Sequence, residues 1–537
     1  MKSSHRLAAS MLMVAFATNS VMAQDRTAEL RQIYPYVPLT TADVQARVVR
    51  MAEDANAVRN IRTISQRNLL RKDATNQPWM GSYWPLIQGQ IGNTYHDKNY
   101  VDFMDYFSWE KNVKEFKERR DNVLSRIYEL SEEELARLAP SEKYDLLLGD
   151  TNFDLTNRTW QFVENYGAGK SYAFLTAIDI PEGFRLPDVK DRIESWEGIC
   201  HGWALAATGA QRPEKTVTYN LPNGKKMPVF PSDVKALVSL MYANSEVQNE
   251  VLMEGWRCND MKPQRDEYGR YVDTVPRQPN DPVMARCADV HPAVWFLSVV
   301  NITGVQGRAM VVELDANGKV NNHPFSGYEM RFFRPDTGIT TRNLDRAIVP
   351  RARYRRDPFA AARNPQAVAI IGVEMKMKYT DWAWPSKSLT DSVSDDKLKN
   401  KTMWFDLELD AQNNVVGGQW RVTPKAEDYL ELERQDQRRE MTNQPDFFWL
   451  MPKNYMRHFQ SDRALGDWDP RTQTLPPRAW SSAAKSGHNN MLFTTGDTCT
   501  VVNDTTGEWG QVSCDFRNNK PRPLNNLVNK LLELSRQ

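Results

Sequence analysis

Residues 195–210 read SWEGICHGWALAATGA, and they decide how the rest of the chain is understood. Ile199-Cys200-His201-Gly202-Trp203-Ala204-Leu205-Ala206-Ala207 predicts a helix of small apolar residues with the thiol in its first turn. There the unpaired backbone N–H groups and the helix dipole favour a thiolate, and the same groups can hold an oxyanion. Gly198 and Gly202 leave room for a substrate to approach the backbone. Whether Cys200 is a nucleophile then depends on its being free.

The chain begins MKSSHRLAASMLMVAFATNSVMAQ: a basic start, an apolar run from Leu7 to Ala17 and the small-residue pattern Val21-Met22-Ala23. This predicts a signal peptide over residues 1–23 and export to the periplasm or the medium. No later stretch approaches the roughly 20 apolar residues of a membrane-spanning helix. In an oxidising compartment five cysteines leave one thiol over. The pairs nearest in sequence are Cys258 with Cys287 and Cys499 with Cys514, which would leave Cys200 free. The alternative is a pairing that takes in Cys200 and strands another cysteine. The last pair flanks NDTTGEW, a turn between two strand-like runs.

The 69 basic and 68 acidic side chains cancel, so no net field recruits nucleic acid or an anionic membrane. Sixteen tryptophans supply ample core. Residues 24–150 carry apolar positions at helical spacing and read as a helical N-terminal region, a possible pro-region. Residues 151–385 mix helix-like runs at 203–209 and 232–245 with strand-like runs at 291–301, 307–314 and 367–379, which predicts an α+β core. Residues 386–537 read as a C-terminal extension: the Pro- and Arg-rich DPRTQTLPPRAW, a cysteine-bridged hairpin and the closing helix LNNLVNKLLELSR. HExxH, Cys-x-x-Cys, Walker and GxGxxG motifs do not occur, so no cofactor or metal is expected.

A thiolate nucleophile needs a base that later returns the proton, which calls for histidine. His201 diverges from its neighbour on a helix. His96, His458 and His488 sit in polar, loop-like settings, and His323 in a turn-like NNHPF. His291 opens HPAVWFLSVVN, read as a strand that hairpins through NITGVQG onto 307–315. That pairing sets His291 opposite Glu313 and Asp315, two residues apart on one face, as the group that orients the imidazole. Glu313 ranks ahead of Asp315, which also starts a turn sequence, and Asn322 follows. Trp196, Trp203 and Trp295 read as core, or alternatively as the walls of a hydrophobic trench over the thiol, with Trp203 and Trp295 as candidate substrate contacts.

The core Trp-Glu-Gly-Ile-Cys-His-Gly-Trp-Ala, His-Pro-Ala-Val-Trp-Phe, MVVELD…VNNHPFSGYE, PWMGSYWP at 78–85 and the SDVKALVSLMY helix together resemble the transglutaminase elicitor family of oomycetes and marine bacteria. The resemblance covers about residues 75–335. It implies a papain-like cysteine core with Cys200 as nucleophile and His291 as base. The implied activity is cross-linking of exposed glutamine to lysine or amines on protein substrates through a thioester. A papain-like peptidase or glutamine deamidase, in which water replaces the amine, is the alternative within enzymes. A non-catalytic exported binding or envelope protein is the alternative outside them.

Overall fold

The computed structural model describes residues 39–95, 109–150, 152–167, 184–185, 196–243, 251–255, 264–265, 271–272, 290–314, 320–421, 445–455, 459–471, 473–485, 498–503, 509–513 and 523–537. Its principal helices are α1 (Thr41–Ala52), α2 (Trp109–Ser125), α3 (Pro140–Leu147), α4 (Asp154–Gly167), α5 (Cys200–Gly209), α6 (Pro231–Ala243), α7 (Pro292–Val299) and α8 (Pro523–Leu534). The principal strands of the ten-stranded main sheet are β1 (Arg71–Asp73), β2 (Leu252–Gly255), β3 (Met310–Glu313), β4 (Asn322–Phe333), β5 (Ala369–Thr380), β6 (Leu398–Leu409), β7 (Val415–Arg421) and β8 (Phe447–Leu450). They run in the order β7-β6-β5-β4-β3-β8-β2, with β1 beside β3 on one edge of β4, and every pairing is antiparallel. The α+β class is thus observed.

Alternation along the strands separates two cores. Val311 of β3 and Phe447 and Trp449 of β8 pack with Ala204–Ala207 of α5 and Val234–Val238 of α6. Their neighbours Met310, Val312, Phe448 and Leu450 pack with Ala293–Val299 of α7 and with Val44, Val48 and Met51 of α1. Because successive side chains of a strand point to opposite faces, α5 and α7 cover opposite faces of the sheet. The α7 face is concave. Trp295 meets Phe325 of β4 and Phe448 of β8 edge-on, at 5.9 and 5.3 Å between ring centroids, while Phe296 meets Phe405 of β6 at 6.3 Å. One two-turn helix touches strands this far apart only if the sheet curls around it.

This helix replaces the strand expected over residues 291–301. His291 is its N-cap, Pro292 occupies the first helical position, and residues 300–305 continue it as a wider π turn. The run is apolar without interruption, so it carries no period that separates a buried helix from a buried strand. Every side chain from Pro292 to Val299 is buried, as the inside of the curl requires. The hairpin expected between 291–300 and 307–315 is therefore absent: β3 pairs with β4 and β8 instead.

The expected divisions of the chain also fall inside the structure. Helix α1 is capped by Thr40, whose side chain and that of Asp43 each accept from the other residue's backbone N–H, and its apolar stripe enters the concave core. Strand β1 pairs with β4 through Arg71↔Glu329 to Asp73↔Gly327. Lys143 of α3 donates to Asp233 of α6 at 2.7 Å with both side chains fully buried, and Tyr95 donates to the same carboxylate at 2.8 Å. Helix α1, strand β1, Tyr95 and α3 thus pack on or bond to the main sheet and α6. The boundary at residue 385 separates β5 from β6, which are paired along twelve residues, and β8 of the supposed extension lies between β3 and β2. The expected hairpin forms, Thr498–Asn503 against Trp509–Ser513, with Cys499 opposite Val512. Cys258, Cys287, Cys514 and the signal-peptide segment lie outside the described residues, as do His96, His458 and His488.

Candidate functional site

The thiol loop is fixed from both sides. Ile199 donates its N–H to Tyr83 O at 2.8 Å and Leu86 donates to Glu197 O at 2.9 Å, so 83–86 and 197–199 form a short antiparallel bridge. At Gly198 a Cβ would stand 2.3 Å from Tyr83 O, and at Gly202 one would stand 2.3 Å from Ser239 O of α6. Both glycines serve close backbone packing, which corrects their reading as openings for substrate. Beside this loop Tyr83, Trp382 and Trp384 form a three-ring group with centroids 5.1–6.0 Å apart, and Trp384 is half exposed.

Cys200 is a free thiol and begins α5 as the sequence predicts. Its Sγ donates to Val320 O at 3.7 Å and accepts from Asn322 Nδ2 at 3.4 Å. Asn322 opens β4 directly opposite Glu313, the last residue of β3, so both project to the α5 face with Val311. Glu313 is 1% exposed, and its Oε1 accepts from the Asn321 N–H at 3.4 Å. On the third strand Trp449 donates Nε1–H to Asn322 Oδ1 at 3.0 Å.

Burial pushes the Cys200 thiol above its ordinary pKa, and the charge of Glu313 adds to that rise. The Asn322 side chain and the backbone N–H groups of Asn322 and His201 pull the other way without overcoming it. The thiolate that the helix terminus alone favours is therefore outweighed by desolvation.

The structure brings Cys200, Glu313 and Asn322 together. The helix that His291 caps packs in the other core. His291 begins α7 on the concave face, where its Nδ1 accepts from the Ala293 N–H at 3.2 Å. Burial, and next the positive charge of Arg47, lower its pKa to about 3, so the ring is neutral. His201 is lowered by burial too, against a hydrogen bond with the Ala243 backbone. His323 follows Asn322 and so turns to the other face, with Nδ1 3.3 Å from Thr380 O and its ring against Tyr379. Asp315 lies outside the described residues. Trp203 and Trp295 are buried, at 1% and 0% exposure; Trp203 donates to Trp79 O and Trp295 fills the concave core. Neither walls an open trench. Trp449 was not singled out from the sequence, because Phe447-Phe448-Trp449-Leu450 reads only as a buried strand.

A cysteine at a helix start, packed on an antiparallel sheet that supplies an amide and a carboxylate, defines a cysteine-centred α+β protein. Residues 190–453, which carry α5 and β2 to β8, match the family described as transglutaminase elicitor. A solved structure, the GP42 transglutaminase from Phytophthora sojae, aligns with 76% of this chain and 90% of its own at 16% identity, with a TM-score of 0.43. No curated protein matches the chain. Among the described residues no helix is long and apolar enough to cross a membrane.

Proposed function

We propose that the protein is a transglutaminase-type acyltransferase with Cys200 as its nucleophile. The observation that carries this reading is the free thiol at the start of α5, 3.4 Å from Asn322 Nδ2 and within the field of Glu313, in a segment that matches the transglutaminase elicitor family. Glu313 takes the thiol proton as sulfur attacks the carboxamide carbon of a protein glutamine. The proton passes to the leaving nitrogen, ammonia departs, and a thioester remains. A lysine amine then attacks the thioester, loses its proton to Glu313, and expels sulfur, leaving an isopeptide bond. The backbone N–H groups of the first turn of α5 serve the developing oxyanion. Proton transfer is assigned to Glu313 rather than His291 because the sheet stands between α5 and α7. The leader-like residues 1–23 support export, with Cys258–Cys287 and Cys499–Cys514 as its disulfides.

A second reading, a non-catalytic protein that keeps the fold, is favoured by the same separation of α5 from α7 and by the raised thiol pKa. Incorporation of a labelled primary amine into a glutamine-rich protein, with ammonia release measured beside it, tests the two. Transfer that disappears in Cys200→Ala supports the enzyme; an intact, folded chain that transfers nothing and releases nothing supports the second reading.

A further inference from the structure

We propose that Trp449 is a positioning residue for the thiol: its indole N–H fixes the Asn322 amide so that the NH2 side, and not the oxygen, faces Cys200. The inference rests on the reading of Cys200 as nucleophile, although its test does not require turnover.

The two ends of an asparagine amide are nearly the same shape and differ in what they do to sulfur. Turned one way, Nδ2–H donates and stabilises a thiolate; turned the other way, Oδ1 repels it. An indole N–H is a donor only, so the atom it meets must be the amide oxygen. Trp449 Nε1 stands 3.0 Å from Asn322 Oδ1, and Nδ2 stands 3.4 Å from Sγ. The three groups form a chain with one sense: indole to amide oxygen, amide nitrogen to sulfur. Trp449 is 6% exposed, and its backbone is pinned on both sides, to Val311 of β3 and Met253 of β2. The donor is therefore held by the sheet before any substrate arrives. A buried indole that had lost this partner would carry an unsatisfied N–H, so the two residues hold one another in place.

The test is the pH profile of Cys200 alkylation by iodoacetamide in the full chain, with the other cysteines monitored by peptide mapping. Trp449→Phe keeps most of the ring and removes the N–H. Its profile should move to higher pH, with the rate at neutral pH falling about 3- to 10-fold, the scale of one hydrogen bond. Trp449→His, which keeps a ring N–H, should recover part of that loss. Asn322→Leu should move the profile the same way, and the double variant no further than the larger single change, because both remove the same contact. Asn322→Asp, isosteric but without a donor, covers the case in which the tryptophan variants fail to fold, and should move the profile upward as well. A profile unchanged in Trp449→Phe while Asn322→Leu shifts it would overturn the proposal, as would an unchanged profile in Asn322→Asp. Because the readout is thiol reactivity, loss of amine transfer in the parent chain would defeat the acyltransferase reading and leave this result standing.

Discussion

Asn322 and Cys200 face one another across the contact between α5 and β4, the amide nitrogen 3.4 Å from the sulfur, and Glu313 lies directly opposite Asn322 on β3. Sulfur thus sits between a group that favours its anion and a group that opposes it. Which of them governs reactivity can be read by changing each alone.

Glu313→Gln removes the negative charge and keeps the shape. With that charge gone the thiol pKa falls, so iodoacetamide should alkylate Cys200 faster at neutral pH than in the parent chain. Amine transfer should fall at the same time by about 10²-fold or more, the scale of a lost general base. A variant that is both more easily alkylated and less active separates proton transfer from ionisation. Loss of both together would remove Glu313 from the proton path.

His291→Asn keeps an N-cap oxygen for the Ala293 N–H and deletes the imidazole. The folded pKa of His291 is about 3, below the ordinary 6.5, so the folded state resists protonation that the unfolded chain accepts. The depressed pKa carries no pH-linked cost above pH 6.5, and stability is lost as pH falls from 6.5 toward 3, by up to about 1.4 kcal/mol per unit. The variant should show a shallower loss of stability over that window in denaturant titrations. Its amine transfer at neutral pH should stay near the parent value. A loss of about 10²-fold would return the base role to His291.

Gly202→Ala tests the packing under the site rather than its chemistry. The new Cβ would stand 2.3 Å from Ser239 O and 2.5 Å from Ala243 Cβ, so α5 and α6 must separate. Overpacking of this kind costs about 1–3 kcal/mol, which thermal unfolding detects. Alanine is otherwise the better helix former, so an unchanged or raised Tm would contradict the geometry.

Much of this arrangement was legible in the residues. The start of α5 at Cys200 follows from a run of small residues behind Gly198, and β5 and the closing helix α8 follow from their alternation and periodicity. Position 291 misled for a physical reason: an apolar run buried on every side has no polar face to mark its period, so only the curl of the sheet identifies it as a helix. Asn322 stood last among the third-group candidates because a short polar side chain at a strand start carries no signal of its own. Its role rests on long-range pairing with Glu313 and on Trp449, 127 residues away. The pairing of β5 with β6 across residue 385 was not legible either, since local composition does not say whether the next strand returns to the same sheet.

The central claim is that Cys200 forms an acyl thioester with a protein glutamine. Its most direct test is intact-mass and peptide-mapping analysis of the full chain, mixed with a glutamine-containing peptide and quenched in acid before amine is added. The account predicts an adduct on Cys200 equal to the peptide mass less ammonia, absent in Cys200→Ala and discharged by a primary amine with formation of the cross-linked product. A folded chain that shows no adduct on Cys200, while the same peptide is cross-linked equally well by the parent and by Cys200→Ala, would contradict it.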